Sequence, residues 1–116
     1  MTVEEVFCGL FDKYGEDFSW YLVPLSQSNG ALVKELKREI GEAHVLFHQE
    51  VRAAARCASN DDVLYAADGE TGKAVYYIFH LTYAKQNRNG FPRYRKFADI
   101  HGVKEYIEQE WMKNEY

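Results

Sequence analysis

The sequence contains few cysteines, few prolines and no long apolar run. Cys8 and Cys57 are the two cysteines among 116 residues, too few for a framework of disulfides. The longest uninterrupted apolar run, residues 74–79, is far too short to cross a membrane. The first residues are acidic, whereas a secretory signal would begin basic and continue apolar. These absences predict a cytoplasmic protein with no membrane partner.

The composition is that of one folded domain. Hydrophobic residues make up 47% of the chain and charged residues 28%, which excludes a disordered or collagen-like chain. A chain of this length can bury enough surface to form a core without disulfides or metals. No linker, repeat or low-complexity tract divides the sequence. We therefore expect a single domain over residues 1–116.

The charge is acidic overall but unevenly distributed. The net charge is −4, from 14 basic and 18 acidic side chains. Residues 85–96 contain basic residues and no acid, interleaved with Phe91 and Tyr94. Aromatic rings among cations can stack on unpaired bases, so this segment supports an alternative function in nucleic-acid binding. The acidic balance disfavours general nucleic-acid coating.

Apolar spacing and turn residues predict an α+β fold. Thr2 and Glu5 form a potential capping box for an N-terminal helix, a second helix ends at Gly41, and Asp99 is a candidate cap for a C-terminal helix. Residues 18–25, 51–57, 63–68, 73–83 and 93–97 have the composition of strands. This order predicts an antiparallel sheet of about three to five strands with helices packed on one face.

The predicted turn at Glu70 and Thr71 sets a register for the central hairpin. It places Tyr65 opposite Tyr76, and His80 beside Asp61. One sheet face then carries a mixture of cations, tyrosines and a histidine, which is typical of a protein contact surface. The residues assigned to this partner-binding face are Arg52, Arg56, Tyr65, Tyr76 and His80.

The same register predicts a polar cluster of Asp61, Asp62, His80 and Thr82. A carboxylate can fix the tautomer of a histidine and raise its basicity, as general-base catalysis requires. A small acid–base hydrolase using His80 with Asp61 or Asp62 is therefore an alternative function. Aspartates in this position also suit a tight turn, to which a histidine can simply donate a hydrogen bond.

No established catalytic motif is present in the sequence. His44 and His48 have the four-residue spacing of a zinc helix, but no glutamate follows His44. Cys-x-x-Cys, a phosphate-binding glycine loop and a Gly-x-Ser-x-Gly turn are all missing. We therefore assign no catalytic residue, metal ligand or cofactor.

Residues 36–97 resemble a group of small uncharacterised bacterial proteins. The matching segments include Asn-Asp-Asp-Val-Leu at residues 60–64, His-Leu-Thr-Tyr at residues 80–83, Glu-Ile-Gly at residues 39–41 and Phe-Pro at residues 91–92. In size and layout this group is similar to immunity-type proteins, which neutralise toxins of bacterial competition. The resemblance implies no catalytic residues.

These observations together predict an intracellular protein-binding inhibitor. The resemblance points to a bacterial toxin-neutralising immunity protein that acts by steric occlusion of a toxin domain. An exposed tyrosine-rich face would also serve a homodimer, and the sequence leaves that alternative open.

Overall fold

The computed structural model describes residues 2–15, 18–41, 45–58, 60–68, 74–83 and 92–113. These residues form three α-helices and five strands. In chain order the elements are α1 (Val3–Tyr14), β1 (Trp20–Leu22), α2 (Ala31–Ile40), β2 (Val51–Cys57), β3 (Asp62–Asp68), β4 (Ala74–His80), β5 (Arg93–Phe97) and α3 (Ile100–Lys113). Short 3₁₀ helices lie at Leu25–Gln27 and Val45–His48.

The helices begin and end at the residues that the sequence marks for these roles. The Thr2 hydroxyl accepts a hydrogen bond from the Glu5 amide at 3.1 Å, and the Glu5 carboxylate accepts one from the Thr2 amide. Gly15 and Gly41 end α1 and α2 with φ values of 77° and 74°, which glycine adopts without strain. Asp99 caps α3 through a 3.0 Å bond from the Gly102 amide. The predicted capping residues are confirmed.

The strands form one antiparallel sheet in the order β1-β2-β3-β4-β5. Each strand therefore pairs with its neighbours in sequence, and β1 and β5 form the two edges. The α+β class, the antiparallel sheet and the N- and C-terminal helices are confirmed. No helix in the described ranges has the length and apolar character needed to cross a membrane.

Helices cover both faces of this sheet. On the face covered by α1 and α3, here called the terminal-helix face, the buried residues include Val6, Phe7, Leu10, Ala55, Leu64, Ile78, Val103 and Ile107. On the opposite face, here called the α2 face, they include Val33, Leu36, Leu46, Ala53, Val63, Tyr65, Tyr77 and Phe79. The sequence predicts helices on one face of the sheet. The terminal helices α1 and α3 do share a face, whereas α2 packs on the other.

The predicted register between β3 and β4 is wrong by one residue. Tyr65 pairs with Tyr77 rather than Tyr76, and His80 pairs with Asp62 rather than Asp61. Residues 63–67 are all buried, so both faces of β3 are apolar. A strand that is buried on both faces has no polar alternation to fix its register, and a slip of one residue exchanges its faces.

A β-bulge in β2 produces a second difference from the sequence prediction. Ala53 pairs with Tyr65 and Ala55 pairs with Leu64, so Ala54 is an extra residue in the strand. Arg52 and Arg56 would share a face in a regular strand because they are four residues apart. The extra residue places them on opposite faces of the sheet.

Candidate functional site

The prediction that five residues share one exposed face is wrong. Tyr65 is fully buried, and its hydroxyl donates a 2.8 Å hydrogen bond to the Leu32 carbonyl of α2. Burial raises the pKa of this phenol well above its ordinary value. Arg56 lies on the same α2 face, and its buried Nε has no hydrogen-bond partner in the described part of the chain. The one-residue slip in the β3–β4 register and the bulge in β2 together place the five predicted residues on different faces of the sheet.

The three remaining residues lie on the terminal-helix face, at two separate places. Arg52 and Tyr76 line a pocket beside the N-terminus of α1, together with Thr2 and Glu4. His80 lies at the far end of β4 and lines a different groove. The partner-binding roles of Arg52 and Tyr76 stay predictions.

The predicted polar cluster also divides into two parts. His80 Nδ1 lies 2.8 Å from Asp62 Oδ1, because the two residues are paired across β3 and β4. Asp61 is exposed, and its carbonyl accepts a hydrogen bond from the Leu81 amide at 3.1 Å. The Thr82 hydroxyl is bonded to Glu39 of α2 instead. The imidazole–carboxylate pair that the sequence suggests therefore exists, with Asp62 as the acid.

An open groove surrounds the Asp62–His80 pair on the terminal-helix face, and we call it the basic groove. It has a volume of about 570 Å³, and its lining includes Asp62, Ile78, His80, Arg93, Arg95 and Tyr106. The sheet register brings these residues together, since Arg93 pairs with His80 and Arg95 pairs with Ile78. Two guanidinium groups thus stand beside one carboxylate, an arrangement suited to binding an anionic group.

Helix α3 forms the opposite wall of the basic groove. The Arg95 guanidinium lies 5.2 Å from the centre of the Tyr106 ring, a cation–π contact that orients it. The Tyr106 ring also packs against Phe97 at a centroid distance of 5.6 Å. Burial raises the pKa of the Tyr106 phenol, and Glu110 and Asp62 add to this effect. The phenol therefore stays protonated at neutral pH and remains a hydrogen-bond donor.

The groove residues are exposed to different degrees. The His80 side chain is 54% exposed, whereas the Asp62 side chain is only 19% exposed. Arg93 and Arg95 are both exposed at the edge of the sheet. The cations therefore lie outermost and the carboxylate lies deeper, so an approaching partner meets positive charge first.

A second polar cluster lies on the other side of the sheet, and we call it the Glu39 cluster. Glu39 of α2 is 7% exposed, and its carboxylate accepts hydrogen bonds from the Thr82 amide at 2.7 Å and the Thr82 hydroxyl at 2.9 Å. The Tyr83 amide donates a third bond at 3.1 Å. Tyr83 adopts a φ of 56°, which is uncommon for a residue with a side chain. The cluster joins the end of β4 to α2.

The charge state of Glu39 reflects two opposing effects. Burial by itself would raise the pKa of this carboxyl, because it disfavours the charged form. Hydrogen bonds involving the Glu35 side chain and the donors of Thr82 and Tyr83 outweigh burial and lower the pKa. Protein donors therefore take the place of water around the Glu39 carboxylate, and these hydrogen bonds stabilise the fold.

The basic segment of the sequence is only partly described. Residues 84–91, with Lys85, Arg88 and Phe91, lie outside the described residues, as does His44. In β5, Arg93 and Arg95 lie on the terminal-helix face, whereas Tyr94 and Lys96 lie on the α2 face. The Tyr94 ring stacks on Phe79 at 4.8 Å. The basic side chains of β5 are thus split between the two faces of the sheet, and they do not form one continuous surface with Tyr94.

Sequence reasoning missed Tyr106 and Glu39, and it placed Arg93 and Arg95 in a candidate nucleic-acid-binding segment rather than beside His80. The alternation of Arg93 and Arg95 in a strand does indicate a shared face, which was the signal available. Tyr106 joins them only through the packing of α3 on β5, and Glu39 only through the contact of α2 with the end of β4. Among the described residues, no group of three or more His, Cys, Asp or Glu side chains is placed to hold a metal ion.

The fold and the basic groove define an α+β protein with a cationic, solvent-open site at one sheet edge. Comparison with protein-family models, curated proteins and solved structures found no match.

Proposed function

We propose that this chain is a cytoplasmic protein-binding inhibitor of the immunity type, which covers a partner domain with the surface around the basic groove. The observation that carries the proposal is the pairing of Arg93 and Arg95 with Tyr106 on the exposed edge of an otherwise acidic chain. Arginine and tyrosine are the residue types that most often dominate binding energy at protein interfaces.

The groove is built on rigid elements, which favours a preformed contact surface. Its residues come from β3, β4, β5 and α3, and β4 pairs with β5 without an irregularity along the whole of β5. The Arg95 guanidinium is already oriented by Tyr106. A side chain held in its bound position loses less conformational entropy on association, so more of the interaction energy appears as affinity.

Charge gives the proposed inhibitor its selectivity. The outer position of Arg93 and Arg95 favours a partner that presents carboxylates, and it accelerates encounter with such a partner. Occlusion then needs no chemistry, because a bound inhibitor excludes the substrate of the partner. Residues 36–97 resemble a group of small bacterial proteins that is similar in size and layout to immunity-type proteins, which supports this mode of action.

A neutralisation assay tests the proposal. The chain is co-expressed with the C-terminal domain encoded by the reading frame immediately upstream of its gene, and growth and complex formation are measured. We expect growth to be restored and a one-to-one complex to be purified. The double substitution Arg93→Glu with Arg95→Glu should abolish both, because it replaces two cations of the groove with anions.

A matched variant controls for net charge. Lys34→Glu with Lys37→Glu changes the charge by the same amount on α2, on the opposite face of the sheet. This control should restore growth as the unsubstituted chain does. Equal neutralisation by both double variants, or no neutralisation by the unsubstituted chain, would count against the proposal.

The Asp62–His80 pair favours an acid–base hydrolase as a second candidate function. With Nδ1 directed at Asp62, the other ring nitrogen, Nε2, is the one available to exchange a proton with a substrate. Two arginines beside it would suit a phosphate ester. The test is hydrolysis of bis(p-nitrophenyl) phosphate: this candidate predicts turnover that His80→Asn removes, whereas the inhibitor proposal predicts none.

A further inference from the structure

We propose that the β5 edge accepts an extended acidic segment of the partner as a sixth strand, with carboxylates at alternate positions of that segment directed toward Arg93 and Arg95. This inference rests on the proposed function and names the chemistry that the partner must present. Pairing along a sheet edge is a recurrent mode of peptide recognition, in which main-chain hydrogen bonds give affinity and alternate side chains give specificity.

The two edges of the sheet differ in their suitability for such pairing. At one edge, β1 spans three residues, of which Trp20 is buried. At the other edge, β5 spans five residues, and Arg93, Tyr94, Arg95 and Lys96 are all exposed. No further strand pairs with β5 among the described residues. A longer, exposed edge strand is the kind that an added strand extends.

The side chains of β5 specify what an added strand must carry. On the terminal-helix face, an added residue would lie beside Arg93 or Arg95 at the mouth of the basic groove. On the α2 face, it would lie beside Lys96 or beside Tyr94, which is 50% exposed and whose ring stacks on Phe79. Since successive side chains alternate between faces, the matching segment alternates acidic and apolar residues.

The charges of β5 also disfavour the addition of a second copy of this chain at the β5 edge. Antiparallel pairing of β5 with itself would bring the three cations of one strand, Arg93, Arg95 and Lys96, near the same three of the other. Like charges directly opposite destabilise a strand pair, and cations on an edge strand are a common protection against self-association. The same charges attract an acidic strand.

The test uses an acetylated, amidated peptide of sequence Thr-Glu-Val-Glu-Val-Glu-Thr as the probe. Its affinity for the full chain is measured by following backbone amide shifts in an NMR titration. We expect saturable binding with the largest shifts in β5 and in the groove residues of α3. Replacing the peptide's glutamates with glutamines, or Arg93 and Arg95 with glutamates, should weaken binding at least about tenfold.

Backbone pairing is separated from simple charge attraction by two N-methylated peptides. One carries N-methyl groups at its odd positions and the other at its even positions, with side chains unchanged. In a strand, alternate amides point to the same side, so strand addition requires that one peptide loses binding and the other keeps it. Equal binding by both peptides, or shifts centred away from β5, would overturn the inference.

The outcomes also separate this inference from the proposed function. If the peptide fails to bind while Arg93→Glu with Arg95→Glu still abolishes neutralisation, edge pairing is wrong and the inhibitor surface stands. If the peptide binds as expected but the double variant neutralises normally, the edge site is real and the proposed function is wrong. A dimer that this double variant dissociates would show that a second copy occupies the edge, which also overturns the inference.

Discussion

The Glu39 cluster and the basic groove each place a carboxylate beside hydrogen-bond donors, but they do so in opposite surroundings. Glu39 is 7% exposed and accepts three bonds from Thr82 and Tyr83. Asp62 faces a half-exposed His80, with two arginines in an open groove. In the first, protein donors satisfy the carboxylate, whereas in the second the cations face solvent. The difference separates a carboxylate that stabilises the fold from one that lies in a solvent-open groove.

The largest effect on stability should follow from Glu39→Ala. This change removes the buried carboxylate that accepts from the amides of Thr82 and Tyr83, and we expect the free energy of unfolding to fall by about 3 kcal/mol. Urea denaturation measures it, with Glu105→Ala on the exposed side of α3 as the control. A loss no greater than that of the control would show that the Glu39 cluster does not hold β4 to α2.

A smaller effect is expected for Tyr65→Phe on the same face. The substitution removes only the hydroxyl that donates to the Leu32 carbonyl, and it leaves the ring packed against Phe79. We expect a loss of about 1 kcal/mol in the free energy of unfolding, measured by the same denaturation. An unchanged stability would mean that water replaces the lost donor and that this site is more open than its burial indicates.

Lowering the pH should reduce the contribution of Glu39 to the free energy of unfolding. Because the folded pKa of Glu39 is lowered, its contribution to stability is complete above the unfolded pKa of about 4.3 and is lost as the pH falls through the folded value. The free energy of unfolding of the unsubstituted chain should therefore drop more between pH 7 and acid than that of Glu39→Gln. Parallel pH profiles for the two proteins would contradict this assignment.

The smallest effect on stability is expected in the basic groove. His80→Ala removes an imidazole that is 54% exposed, and its pair with Asp62 is of the kind that contributes little in solvent. We expect the free energy of unfolding to change by about 0.5 kcal/mol or less. A loss comparable to that of Glu39→Ala would make the Asp62–His80 pair a structural element and remove the contrast between the two clusters.

Local signals in the sequence predict most of the fold. The Thr2 capping box, the glycines that end α1 and α2, and the bounds of β2 and β5 all follow from residue types and short-range spacing. These features depend on a few neighbouring residues, so they can be predicted from the sequence. The antiparallel order follows as well, because each strand pairs with its neighbour in the chain.

The candidate site is less predictable, because it depends on register and on packing between distant segments. The bulge at Ala54 separates Arg52 from Arg56, and nothing in the alternation of β2 marks it. The one-residue slip in the central hairpin exchanges Asp61 for Asp62 as the partner of His80. Tyr106 reaches the groove only when α3 packs on β5. The presence of an acid beside His80 could be predicted. Which aspartate it is, and that α3 forms the opposite wall of the basic groove, could not be predicted.

The distinction between the Glu39 cluster and the basic groove is tested most directly by measuring stability and peptide affinity in two variants, Glu39→Gln and Arg93→Glu with Arg95→Glu. Urea denaturation gives the free energy of unfolding, and titration with the acidic peptide gives the affinity. We expect Glu39→Gln to lower stability and keep affinity, and the arginine variant to keep stability and lose affinity. If both variants lost both properties together, the fold and the binding site would not be separate, and the central distinction would be wrong.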